Sequence, residues 1–280
     1  MCQFCHQHGD GKKWYLNAAN YADDLLSDLH RRKFITEFFA EGADEDPTPQ
    51  LEKLSAAPAF VQRMLRPLIV RRMKRDHFGQ VLPLEDVTEV FGFVGSIVRV
   101  PCICRHATLH REVGYCYGIS MSPSGGGMIG LVQGLDRSFL GGPDVSRFDQ
   151  LTAEEAVAAF AEHEKEGLCH TVWTFVAPFT GGLCNCDRRD CLAMRSVLGH
   201  DLKVMFRGEY VASVDPDLCT GCRSCMRLCQ FGALGYSAAD KKAFVEQRAC
   251  YGCGICRSAC TRNAISLTPR AEVPAVANLW

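Results

Sequence analysis

The chain has 280 residues, 47% hydrophobic and 22% charged, enough for a sizeable core and for one or two domains with extensions, so disorder and collagen-like repetition are excluded. The 31 Lys and Arg residues balance 32 Asp and Glu, and a formal charge of −1 carries no signature of nucleic-acid or acidic-membrane binding; no nucleic-acid partner is expected. The anomaly is 17 cysteines, an odd number in a chain too long to be a disulfide-stapled mini-protein, which points first to metal.

Cys2-Gln-Phe-Cys5-His6 opens the chain with a C-x-x-C-H pattern. It matches covalent haem attachment, but attachment belongs to exported proteins and no leader precedes it, so a metal site on Cys2, Cys5 and His6 or a mobile terminus competes with haem. Apolar residues from Tyr15 to Ala40 recur at helical spacing, which predicts an amphipathic helix. Within it, Arg31-Arg32 resembles a twin-arginine export signal but is followed by acidic residues instead of an apolar segment. A cytoplasmic, reducing location is expected, with free thiols or thiolate ligands rather than disulfides.

Residues 1–40 form the first unit and 41–58, rich in acidic residues, Gly and Pro, read as a linker. Residues 59–213 are expected to form a central α+β domain. It begins with a basic helix over 59–77, interrupted near Pro67. A second helix opens at Leu84, its stripe running Val87, Val90, Phe91, Val94 and Ile97/Val98 to Pro101. The whole stretch Val87–Val100 is broken by Glu89 and Arg99, and no membrane span is expected anywhere. Ser120–Gly142 reads as irregular surface structure. Its Gly125–Gly130 fits G-x-G-x-x-G without the strand and acid that a dinucleotide site needs. Thr152-Ala-Glu-Glu155 is a capping box for a helix to about Lys165, Gly167 stops it, and Leu168–Val176 reads as a buried strand. His106, His110, His163, His170 and His200 read as packing or surface residues, and no catalytic residues are legible.

Residues 214–270 contain one code twice: Cys219-x2-Cys222-x2-Cys225-x3-Cys229 and Cys250-x2-Cys253-x2-Cys256-x3-Cys260. Three thiolates spaced by two residues wrap one corner of a cubane, while the fourth faces away toward a neighbouring cluster. The stretch resembles bacterial-type ferredoxins with two [4Fe–4S] clusters; zinc on the C-x2-C pairs is the competing reading. The resemblance implies a βαββαβ module and crossed ligation. Cys219, Cys222, Cys225 and Cys260 would hold one cluster, and Cys250, Cys253, Cys256 and Cys229 the other. Gln230 and Thr261 replace the proline that usually follows each fourth cysteine. Eight basic residues face four acidic ones from Asp215 to Arg270. With about −2 per oxidised cluster, the loaded module would be near neutral.

Among the other cysteines, Cys102-x-Cys104 with Cys116 and Cys184-x-Cys186 with Cys191 form two C-x-C groups. Extended backbone puts both sulfurs of such a pair on one face, so four of these thiolates could bind zinc or a third iron–sulfur cluster if the fold unites them. Buried apolar cysteines or a redox-active pair are the alternatives. The functional expectation is an iron–sulfur subunit relaying low-potential electrons to or from a catalytic oxidoreductase partner in anaerobic metabolism. The apolar tail 271–280 is expected to help dock that redox partner or larger complex. An oxidoreductase in its own right, using the central cysteines, is the first alternative. A redox sensor docking through Arg63–Arg75 is the second.

Overall fold

The computed structural model describes residues 13–40, 48–109, 114–135 and 148–279. The Cys2/Cys5/His6 motif, His110, residues 41–47 of the linker and Trp280 lie outside the described residues. The protein is α+β. Strands β1 (Gly79–Leu82), β2 (Ser96–Val100), β3 (Cys116–Ser120), β4 (Asp149–Leu151), β5 (Cys169–Thr174), β6 (Thr180–Cys186) and β7 (Met205–Phe206) build the main sheet. Their order is β4-β2-β3-β6-β5-β1-β7. All neighbours are antiparallel except β1 and β7. β5 is buried along its full length, which explains its unbroken run of β-branched, aromatic and small residues.

The two faces of the sheet carry different chemistry. On one, Phe78, Leu82, Tyr117, Val172 and Leu183 pack under the helices Leu84–Phe93 and Ala153–Lys165 and under Trp14, Tyr15 and Tyr21. Burying each such side chain contributes about 1.5–3 kcal/mol. On the other, Cys169, Trp173 and Cys186 meet Met194 of the helix Leu192–His200 and Ile69 and Met73 of the helix Ala59–Asp76. Val98 and Val100 on that side meet Met128 and Ile129 of the helix Gly126–Gln133. The capping box of Thr152 and Glu155 forms, with Thr152 Oγ1 accepting from the Glu155 amide and Glu155 accepting from the Thr152 amide.

Several local expectations are corrected. The stretch from Tyr15 to Ala40 is three 3-10 turns followed by a helix only over Leu29–Phe38, because Asp28 caps that helix with its carboxylate on the Arg31 amide. The linker contains a helix, Thr48–Ala56, with Pro49 in the first turn, where its missing donor costs nothing. Pro67 does not interrupt the basic helix, which is continuous from Ala59 to Asp76. The stripe from Leu84 ends at Phe93, and Ile97 and Val98 belong to β2, where Gly95 packs against the Met121 carbonyl too closely for any side chain. Ser120–Gly142 is not wholly irregular, since Gly126–Gln133 is helical. Its glycine-rich start holds no phosphate seat: Asp23 accepts from the Gly127 amide and from Ser120 Oγ there.

The C-terminal segment runs β8 (Tyr210–Val214), a helix Ser224–Leu228, β9 (Leu234–Ser237), β10 (Lys242–Val245), a 3-10 turn Ile255–Arg257 and β11 (Ile265–Pro269). β8 pairs with β11 and β9 with β10. The tail folds back rather than projecting: Val276 is 2% exposed and Arg270 holds the Leu279 carbonyl. Asp86, fully buried, joins this segment to the rest. It accepts from Lys13 Nζ at 2.9 Å, Tyr15 OH at 2.5 Å and Tyr210 OH at 2.9 Å. Arg257 adds a two-pronged contact to Glu85 at 2.5 and 2.7 Å. Gln230, standing where a proline was expected, donates to the Gly167 carbonyl at 2.6 Å and accepts from the Arg188 amide at 3.1 Å.

Asp86→Ala takes the acceptor from the buried Tyr15 hydroxyl and from the half-buried Lys13 and Tyr210, and is expected to cost about 2 kcal/mol in urea unfolding. Glu85→Ala, on a side chain 55% exposed, should cost under about 1 kcal/mol. Equal losses would contradict this ranking.

Candidate functional site

The two cysteine quartets are sorted in space as crossed sets. Cys219, Cys222, Cys225 and Cys260 line one cavity, together with Val214, Ala243 and Ile265. Cys229, Cys250, Cys253 and Cys256 line a second, together with Ala212, Tyr251 and Ile255. Sequence-distant sulfurs meet because Cys260 follows the 3-10 turn of the second half and Cys229 follows the helix of the first.

Backbone amides aim at the sulfurs. Gly221 and Ala243 donate to Cys219 at 3.4 and 3.5 Å, and Ala264 donates to Cys260 at 3.3 Å. In the second set, Gly252 and Ala212 donate to Cys250 at 3.4 Å each, and Ala233 donates to Cys229 at 3.2 Å. Such donors stabilise thiolate charge and that of an iron–sulfur core behind it. The turns demand glycine. Gly221 and Gly252 have φ of 69° and 71°, and a Cβ there would lie 2.2 Å from the Lys241 carbonyl oxygen and 2.1 Å from that of Tyr210.

The sets differ in exposure. Cys222 is exposed, and the Ser224 amide and hydroxyl hold its thiol below the ordinary range. Arg223, Arg227 and Arg262 are exposed around it. The second set faces the main sheet: Cys253 and Cys256 are buried, and Ile255 between them is fully enclosed. Cys253 packs beside Cys169, whose thiol lowers the Cys253 pKa, while burial, then that neighbour, raise that of Cys169.

The six cysteines of the C-x-C groups also come together. Register pairs Cys116 with Cys184 across β3 and β6 and Cys169 with Cys186 across β5 and β6, so four thiols share one sheet face. Cys102 and Cys104 arrive at the start of the helix Ile103–Leu109, and Cys191 at the start of Leu192–His200. The neighbouring Cys116 thiol and burial push Cys102 up; beside Cys116 the Cys102 thiol acts to lower it, but Cys184 and burial outweigh that and push it up. The neighbouring Cys104 and Cys186 thiols, with the Met194 and Ala193 amides, hold Cys191 well below the usual thiol range. All six line a cavity of about 340 Å³ whose farther walls include Phe38, Phe39, Met73, Trp173 and Phe175.

Two residues here were missed in the sequence. Cys169 lies outside both C-x-C groups, and only strand register reveals it. Arg105, 3% exposed, sends Nη1 to the Asn185 carbonyl at 2.9 Å and to Cys102 Sγ at 3.7 Å, and Nη2 to Asp187 at 2.6 Å. A lone arginine directly after C-x-C was its only signal. The histidines serve packing: His170 bonds Asn185 at 2.6 Å, His163 bonds Tyr117 at 2.9 Å and His200 bonds Ser55 at 2.8 Å. Among the described residues no helix is long and apolar enough to cross a membrane.

Residues 218–265 match the family described as 4Fe-4S dicluster domain. The chain is also 32% identical over 59 residues to proteins named archaeal-type glutamate synthase [NADPH] from Thermotoga sp. strain RQ2 and from Thermotoga maritima. That match covers 21% of this chain and 12% of each relative. The C-terminal segment is thus an iron–sulfur, ferredoxin-like electron-transfer domain.

Gly252→Ala is expected to lose about four irons per chain, because its Cβ collides with rigid backbone at the second set. Gly232→Ala, where a Cβ meets nothing within 4 Å, should retain its full iron although φ is 66°. Matching iron content in the two variants, measured after anaerobic purification, would contradict the steric argument.

Proposed function

We propose that the chain relays single electrons between a redox protein partner and the sulfur-lined interior of its own central region, as part of an anaerobic oxidoreductase system. Two [4Fe–4S] clusters carry the relay. The outer is held by Cys219, Cys222, Cys225 and Cys260, and the inner by Cys250, Cys253, Cys256 and Cys229. The observation that carries this reading is the placement of the two sets: Cys222 of the outer set is exposed, whereas Cys253 of the inner set is buried in one cluster with Cys169, Cys186 and Cys191.

The residues suit the clusters. Each set supplies four thiols around one cavity, and each is reached by amide donors. A bound cluster supplies one-electron storage. The protein's share is to hold the sulfurs, to temper their charge and to keep water from the inner set. An exposed outer edge also supports an oxygen-sensitive, anaerobic setting. The likeness to relatives named as glutamate synthases supports placing such a segment in a larger redox assembly.

The exposed Arg223, Arg227 and Arg262 make the outer port basic, so the partner that fits is an acidic redox protein. Arg223 also stacks on Tyr236 at 3.8 Å, which fixes one charge beside the port. Stopped-flow reduction of the anaerobic protein by a reduced acidic ferredoxin should slow about tenfold as salt rises to about 0.5 M. Arg223→Glu with Arg262→Glu should slow it by a similar factor at low salt. Rates indifferent to both would remove the outer port from the proposal.

A further inference from the structure

The line of sulfur continues past the inner set. Cys253 packs in one buried cluster with Cys169, Cys186 and Cys191, and Cys169 lies opposite Cys186 across β5 and β6. Cys184, Cys116, Cys104 and Cys102 complete the group at the same cavity. We propose that at least four of the six thiolates Cys102, Cys104, Cys116, Cys184, Cys186 and Cys191 hold a third, polynuclear iron–sulfur centre that exchanges electrons with the inner cluster and faces the apolar cavity.

The packing alternative, six small thiols in an ordinary core, leaves unexplained why all six line one partly open, otherwise apolar cavity of about 340 Å³. Arg105, almost fully buried and paired with Asp187 at 2.6 Å, also reaches Cys102 Sγ at 3.7 Å, which places a cation beside any thiolate-held core.

Zinc is the other metal reading, and the number of sulfurs disfavours it: six line one cavity, where a structural zinc ion takes four. The six sulfurs are also placed by rigid elements, with strand register fixing Cys116, Cys184 and Cys186 and helix starts fixing Cys102, Cys104 and Cys191.

In the exchange step one electron leaves the reduced inner cluster, which is oxidised, and enters the third centre, which is reduced. No bond is made or broken. Beyond the sulfurs, Phe38, Phe39, Trp173 and Phe175 leave room for an uncharged, largely apolar ligand.

This inference rests on the relay reading above, and metal counting separates the two. Iron, acid-labile sulfide and zinc are measured per chain in full-length protein purified without oxygen. About twelve irons are expected, falling to about eight in the Cys184→Ser/Cys186→Ser/Cys191→Ser variant, which leaves only three of the six thiols, with zinc negligible in both. The wild-type count stands by itself should that variant misfold. About eight irons in the wild-type protein, or zinc in the central region, would overturn the third centre and leave the relay intact. About four irons or fewer would overturn the relay as well.

Discussion

An anionic iron–sulfur core is stable inside a protein only where N–H dipoles and cations meet its charge, and where its thiolates are held by backbone that cannot relax away. The C-terminal segment meets this requirement with turns. Gly221 and Gly252 place their amides on Cys219 and Cys250 in conformations that a side chain would obstruct. On the main sheet, register puts Cys116, Cys184, Cys186 and Cys169 on one face, where the proposed third centre would need them.

The join between the two regions follows from the same requirement. Electron exchange over a fixed gap needs a fixed interface, and this one is built from groups that are expensive to separate. Asp86 gathers Lys13, Tyr15 and Tyr210 at one point. Arg270 and Gln80 both bond Glu209, at 3.2 and 2.9 Å, close to the start of β8. Phe231 stacks on Tyr251 with centroids 4.1 Å apart, and the Arg207 guanidinium lies 4.2 Å from the Tyr251 ring centroid. Cys253 of the inner set thus lies against the sheet and Cys222 of the outer set toward solvent, the arrangement that the proposed relay needs.

The sequence was most informative where spacing itself is the chemistry. The C-x2-C-x2-C-x3-C code names eight cysteines without help from tertiary structure, and the family match falls on the same stretch. The capping box at Thr152 and the buried strand after Gly167 were legible for a similar reason: each is decided by neighbours within a few residues. Elements decided at long range were not. Ile97 and Val98 continue a helical stripe in sequence, yet pairing with Ile119 and Gly118 makes them strand. The glycine-rich stretch before Gly130 is helical in part because Asp23, more than a hundred residues away, binds its Gly127 amide. Cys169 and Arg105 acquire their significance only from what lies opposite them.

The central claim is that sulfurs distant in sequence are grouped as crossed sets, with the inner set turned toward the cavity. An anomalous-scattering map at the iron edge, from crystals grown without oxygen, tests it most directly. The account predicts iron bounded by Cys219, Cys222, Cys225 and Cys260, iron bounded by Cys250, Cys253, Cys256 and Cys229, and further iron among the cysteines around Arg105. Iron peaks that follow the uncrossed order, Cys219 to Cys229 and Cys250 to Cys260, would contradict it.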